Sequence, residues 1–188
     1  MKIDIRHNFP DVMRSLDTLR DDIARQATSR ALNTTIAQAK TSMSREIRQE
    51  FMITASKINQ SLRINKANAF KGELRMQASL ESPAKRGRSL NVAAFGARQT
   101  KKGVTIKIKR NGPRHLIPGA FMINNGKTVM IRVGPKRLPI KAIQTIDVAQ
   151  MFNTKRINTK VQRFMVDKFP SLFDREVKYY TEKFNRVK

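Results

Sequence analysis

The chain has 188 residues, enough for one domain or two small ones, and carries 39 Lys+Arg against 14 Asp+Glu, a net charge of +25 with a pI near 11.4. It contains no cysteine, which removes disulfides, thiolate metal sites and cysteine nucleophiles together. No apolar run approaches the roughly 18 residues of a membrane span. The charged start Met1-Lys2-Ile3-Asp4-Ile5-Arg6 does not read as a secretory signal, so a protein soluble until assembled is expected.

Ile, Leu, Val and Phe make up 47 of the 188 residues, or 25%, above the level of disordered chains, so a core can form. Aromatic residues are only 6%, so that core is modest and a partner or sister copy is expected to bury part of the chain. The charge is unevenly placed. Residues 1–60 carry 10 Lys+Arg against 7 Asp+Glu, residues 61–150 carry 19 against 3, and residues 151–188 carry 10 against 4. The cationic middle predicts attraction to polyanions.

In chain order, Asn8, Pro10 and Asp11 suit a helix start. Residues 11–71 hold neither Gly nor Pro. Val12, Leu16, Leu19, Ile23 and Ala27 keep helical spacing, and Ala31, Ile36, Ala39, Met43, Ile47 and Phe51 extend it. This predicts one long amphipathic helix, or two joined near Asn33-Thr34-Thr35. The small residues Ala24, Ala27, Ala31, Ala37 and Ala39 suit close helix approach, in the core or at a subunit interface. Thr54 or Ser56 can cap a shorter helix through Ile58 and Leu62 to Ile64.

Beyond Phe70 the period becomes two. Leu74, Met76, Ala78 and Leu80 alternate with polar residues, and a basic loop over residues 82–89 follows. Asn91 to Phe95 reads as a strand, and Val104, Ile106 and Ile108 alternate with Thr105, Lys107 and Lys109. Pro118-Gly119 fits the centre of a type II turn, because proline fixes φ and glycine accepts a positive φ. A strand through Phe121 then leads to Asn124-Asn125-Gly126, a hairpin signal. Thr128 to Val133 return, Gly134-Pro135 stops them, and the basic Pro turn Arg137-Leu138-Pro139-Ile140 closes the unit. Helical period resumes near Val148 through Phe152, Val161, Phe164 and Met165. Pro170 is expected to break or kink it, and Leu172, Phe173, Val177, Tyr180 and Phe184 form a last helix.

The fold class read from this order is α+β: a long N-terminal helical segment, a small central antiparallel β-sheet, and C-terminal helices packed on the sheet. The expected organisation is a helical arm over residues 1–69, a basic β region over 70–146 and a helical region over 147–188, as one structural unit.

No enzyme is expected. A nuclease needs clustered carboxylates for metal ions, and Glu73, Glu81 and Asp147 are far apart in sequence. His7 and His115 are too few for a His-rich metal site. No phosphate-loop or dinucleotide motif occurs, so no cofactor is predicted. The candidate DNA- or partner-facing residues are Lys85, Arg86, Arg88, Lys101, Lys102, Lys107, Lys109, Arg110 and Arg114. Such contacts would be salt-dependent and blind to sequence. No aromatic interleaves them, so base stacking is unsupported.

The order and spacing of several landmarks resemble the lambda-type phage minor tail protein Z family, the tail completion proteins. The landmarks are Arg30-Ala31-Leu32-Asn33, Ser44-Arg45-Glu46-Ile47-Arg48, Ile117-Pro118-Gly119-Ala120-Phe121, Leu138-Pro139-Ile140 and Asp174-Arg175-Glu176. Pro118, Gly119, Phe121, Gly126, Leu138 and Pro139 form the structural motif. The resemblance implies a virion structural protein at the head-proximal end of a phage tail, needed for head–tail joining and for holding the DNA end. It further implies a homo-oligomeric ring, six-fold, with tail terminator and head-completion proteins and packaged DNA as partners. The expected location is the head–tail junction of the virion, with the host cytoplasm during assembly. The alternative is a free, sequence-independent nucleic-acid-binding protein, which charge alone supports as well. That alternative does not need the landmark order.

Overall fold

The computed structural model describes residues 2–6, 21–69, 76–83 and 89–186. The helix start foreseen at Asn8 to Asp11, the strand residue Leu74 and the basic residues Lys85, Arg86 and Arg88 lie outside them. The helices are α1 (Asp21–Glu50), α2 (Ala55–Ser61), α3 (Val148–Phe152) and α4 (Lys155–Arg186). Two strands, β1 (Lys2–Arg6) and β2 (Arg63–Asn65), flank the first helices, and β3 (Gln77–Glu81) follows. The remaining strands are β4 (Leu90–Asn91), β5 (Arg98–Thr100), β6 (Gly103–Ile106), β7 (His115–Pro118), β8 (Phe121–Ile123), β9 (Thr128–Arg132), β10 (Ile140–Ala142) and β11 (Gln144–Thr145). The α+β class and its order of a long helix, small antiparallel sheets and terminal helices stand as read. The strands form four small sheets, because Gly- and Pro-bearing turns keep each strand to five residues or fewer.

Two compact units divide the chain, one taking Met1–Met43, Leu62–Ser82 and Asn158–Lys188, the other Ser44–Ser61 and Pro83–Ile157. In the first unit, the strands run β1-β3-β2, both pairings antiparallel. Strand β3 is central and buries Ala78, Ser79 and Leu80 in succession, which hides its period of two. Residues 1–29 and Ile64, read as helical, include the strands β1 and β2. The alternation of Ile3 and Ile5 with Lys2, Asp4 and Arg6 is the strand signal in β1, too short to weigh against the helical run that follows.

Helix α1 is continuous through Asn33-Thr34-Thr35. Thr28, Thr34 and Thr35 each donate a hydroxyl hydrogen bond to the carbonyl four residues back, at 2.7, 2.9 and 2.8 Å. These bonds satisfy the hydroxyls without opening the helix. Ala27, Ala31, Ile36, Ala39 and Met43 of α1 are fully buried, while Ala37 is exposed. Helix α4 likewise buries Val161, Met165, Phe169, Phe173 and Tyr180 along one stripe, with Phe164 and Phe184 half-buried. It runs unbroken through Pro170. Pro170 sits on the exposed face, where water can reach the Val166 carbonyl that loses its partner.

In the second unit the strands form β5-β6-β7, β10-β9-β8 and β11-β4. The core is Val92, Val104, Ile106, Ala120 and Val129, with Ile117, Met122 and Ile143 packed against it. Asn91 to Phe95 is not a strand throughout. Its first residue lies in β4, and Val92–Ala94 form a 3-10 turn. The Asn91 side chain decides this. Its Oδ1 accepts from the N–H groups of Ala93 (3.0 Å) and Val129 (2.8 Å), and its Nδ2 donates to the Val129 carbonyl (3.1 Å).

Candidate interaction interface

The second unit holds 20 Lys+Arg against 3 Asp+Glu, a net +17 of the total +25. Two of those acids have structural partners. Glu50 pairs with Arg156 at 2.9 Å, and Asp147 caps α3 by accepting from the Gln150 N–H at 2.7 Å. The excess cations therefore have little compensating charge in the sequence of this unit.

The candidate cations separate by role and by place. Lys101 and Lys102 form the turn between β5 and β6, are exposed, and make no ion pair among the described residues. Lys107, Lys109, Arg110 and Arg114 lie past the other end of β6. Five residues of extended chain put Lys102 and Lys107 about 17 Å apart. The predicted cationic face is thus two clusters at opposite ends of one strand.

Arg110 and Arg114 also hold the fold. The Arg110 N–H donates to the Glu50 carbonyl at 2.8 Å, and its guanidinium Nε to the Arg48 carbonyl at 2.9 Å. These are carbonyls of the last turn of α1, which lack partners within the helix, and a cation there also suits the helix dipole. A bridge between Phe51 and Lys109 and the Met52 N–H bond to the Ile108 carbonyl (2.8 Å) complete the tie. Arg114 donates to the Gly96 carbonyl at 2.9 Å, and its other nitrogen lies 3.3 Å from the Thr105 hydroxyl. Lys107 is half-buried and Lys109 exposed.

The structural motif takes the geometry its residues ask for. Gly119 has φ +69°, and the Ala120 N–H donates to the Ile117 carbonyl at 3.4 Å across the Pro118-Gly119 turn. At the hairpin, Asn125 and Gly126 have φ +52° and +80°, the two positive values that a tight primed turn requires. Phe121 is half-buried with the Arg132 guanidinium 4.8 Å above its ring. Leu138 and Pro139 are exposed in the β9–β10 connection.

Around that connection lie cations not among the candidate interface residues: Arg132, Lys136, Lys141 and Arg137 of the basic Pro turn, with Lys127 on the neighbouring hairpin, all exposed. Their signal was available, since no Asp or Glu occurs between Glu81 and Asp147.

The first unit holds a different constellation. The Arg30 guanidinium lies 3.2 Å from one oxygen of Glu176, and Arg175 lies 2.7 Å from the other. The Arg30 cation also sits 5.4 Å from the centre of the Tyr179 ring. Tyr180 first, by hydrogen bonding and charge, and then Glu176 raise the Arg30 pKa above its ordinary value. Beside it, Asn33 brackets Ala67, donating to its carbonyl at 3.0 Å and accepting from its N–H at 2.8 Å. A cavity of about 610 Å³ opens there, lined by Gln26, Arg30, Asn33, Lys66, Asn68 and Tyr180 among others. Among the described residues no group of His, Asp and Glu could hold a metal ion.

The family model that matches this chain describes a structural protein of phage tails. It is prophage minor tail protein Z, it matches residues 9–185, and the chain belongs to that family. Membership makes the protein a component of the virion that works against other virion proteins. Comparison with curated proteins and with solved structures gave no match.

Proposed function

We propose that this minor tail protein completes the tail at its head-proximal end, so that the tail joins a filled head, and that it holds the DNA end there. Its work is assembly, and no reaction is catalysed. Copies form a ring, six-fold in this reading, between the tail terminator and head-completion proteins, after synthesis in the host cytoplasm. The observation that carries the reading is the concentration of +17 in the unit of Ser44–Ser61 and Pro83–Ile157, with Lys101 and Lys102 unpaired among the described residues. Copies so charged repel one another in a closed ring, and a polyanion or an acidic neighbour relieves that repulsion. Packaged DNA supplies the first and a neck protein the second.

Cryo-electron microscopy of intact particles tests this reading directly. Density for the chain at the head–tail junction, with Lys101 and Lys102 turned to the channel, is the expected result. Particles that lack the chain would instead favour a free nucleic-acid-binding protein. A stable ring of purified chain at low salt, with no partner, would refute the need for a polyanion.

A further inference from the structure

The β9–β10 hairpin ends in a tip whose composition is unusual for a solvated loop. Residues 133–139 are all exposed. Val133 and Leu138 are 64% and 65% exposed, the two most exposed of the five large apolar side chains exposed among the described residues. Arg132, Lys136 and Arg137 adjoin them in the chain, and no acidic residue lies between Glu81 and Asp147 in the sequence. The tip is held, not frayed. Strands β9 and β10 pair up to Arg132 and Ile140, and the Val133 N–H donates to the Pro139 carbonyl at 3.1 Å. Arg132 is further tied over the Phe121 ring.

We propose that the 133–139 tip is a docking finger for a neighbouring tail protein that offers an apolar notch rimmed by carboxylates. The inference rests on the tail reading and adds the contact surface and the chemistry of its partner. Charge complementarity selects an anionic partner, and the apolar pair selects a protein over a duplex. A phosphate backbone gives Val133 and Leu138 nothing to bury against. Apolar side chains that do contact DNA act as wedges between base steps of the minor groove, at the cost of unstacking them. Here Lys136 and Arg137 lie in the middle of the loop, and Val133 is bonded to Pro139 at its base. An apolar centre with charged residues around it is the usual anatomy of a protein interface.

The test uses tails assembled by a phage whose copy of this reading frame carries a nonsense codon. Purified full-length chain is added after nuclease treatment, and the chain that sediments with the tails is measured. The same preparations are titrated with a 20-base-pair duplex. The variants are V133S/L138S and K136E/R137E. All four positions are exposed, so both variants are expected to keep the wild-type circular dichroism and Tm. Loss of an apolar anchor at an interface centre should weaken tail binding about tenfold. V133S/L138S should leave duplex binding within about twofold of wild type, since it removes no charge. K136E/R137E should weaken tail binding further than V133S/L138S does and make the residual binding less sensitive to salt. Equal tail binding by wild type and V133S/L138S would overturn the proposal. So would a parallel loss of duplex binding by V133S/L138S, which would make the tip a DNA contact. Failure of the wild-type chain itself to sediment with tails would remove the tail placement, and the docking finger with it.

Discussion

Arg30 and Glu176, from opposite ends of the chain, meet at 3.2 Å with the carboxylate 7% exposed and the guanidinium 57% exposed. The asymmetry decides the energetics. A buried carboxylate stripped of partners is costly, whereas either arginine can return to water. Glu176→Gln should therefore cost only about 1 kcal/mol, in the range of a half-exposed ion pair. The double variant R30A/R175A should cost about 3 kcal/mol, because it strands the charge. Denaturant titration of both variants measures this, and equal losses would show that the carboxylate is solvated.

Arg110 and Arg114 separate from Lys101 and Lys102 by the same logic. Arg110→Ala and Arg114→Ala each remove bonds to backbone carbonyls and should lower stability by about 1–2 kcal/mol. K101S/K102S should leave Tm unchanged and reduce the salt dependence of duplex binding by about two phosphate contacts. Thermal melts and a salt titration read the two effects independently. A fall in Tm for the lysine pair would show a structural role for that turn.

Two glycines should respond differently to substitution. At Gly119 an added Cβ would meet open space, so Gly119→Ala pays only for the positive φ, about 1–2 kcal/mol. At Gly103, φ is +146° and a Cβ would stand 2.1 Å from the Ile117 carbonyl oxygen. Gly103→Ala must then push β6 from β7 and should cost more than about 3 kcal/mol. Unfolding free energies in the same buffer decide the ranking, and an equal loss at both positions would refute the β6–β7 register.

Asn33 predicts a local effect. Asn33→Ala removes both bonds to Ala67; the carbonyl keeps the Ser29 hydroxyl at 3.3 Å, but the N–H loses its acceptor, a loss of about 1–2 kcal/mol. Hydrogen exchange at the Ala67 amide should speed up in the variant. Unchanged protection would mean that the bracket is not what holds this segment.

The fold class was legible in the sequence because it depends on local periods. Helical spacing through Ala27, Ala31, Ile36 and Met43, alternation at Val104 and Ile106, and turn residues such as Gly119 and Gly126 each act within a few residues. The misreadings share a cause. Val92–Ala94 turn out of the expected strand because the Asn91 side chain bonds Ala93 and Val129, and Pro170 leaves α4 intact because it faces water. Strand β2 forms because Ile64 finds Leu80 in β3. Each outcome depends on a partner or a solvent exposure that no short window contains.

Composition determined the sign and size of the charge and the absence of thiol chemistry, and residue order the family landmarks, since these are sums and orderings along the chain. Tertiary structure decided which cations are free. It tied Arg110 and Arg114 to distant carbonyls, left Lys101 and Lys102 in solvent, and raised Lys136 and Arg137 on a hairpin tip beside bare Val133 and Leu138. A charge carries the same sign wherever it lies, but what it can bind depends on what already faces it.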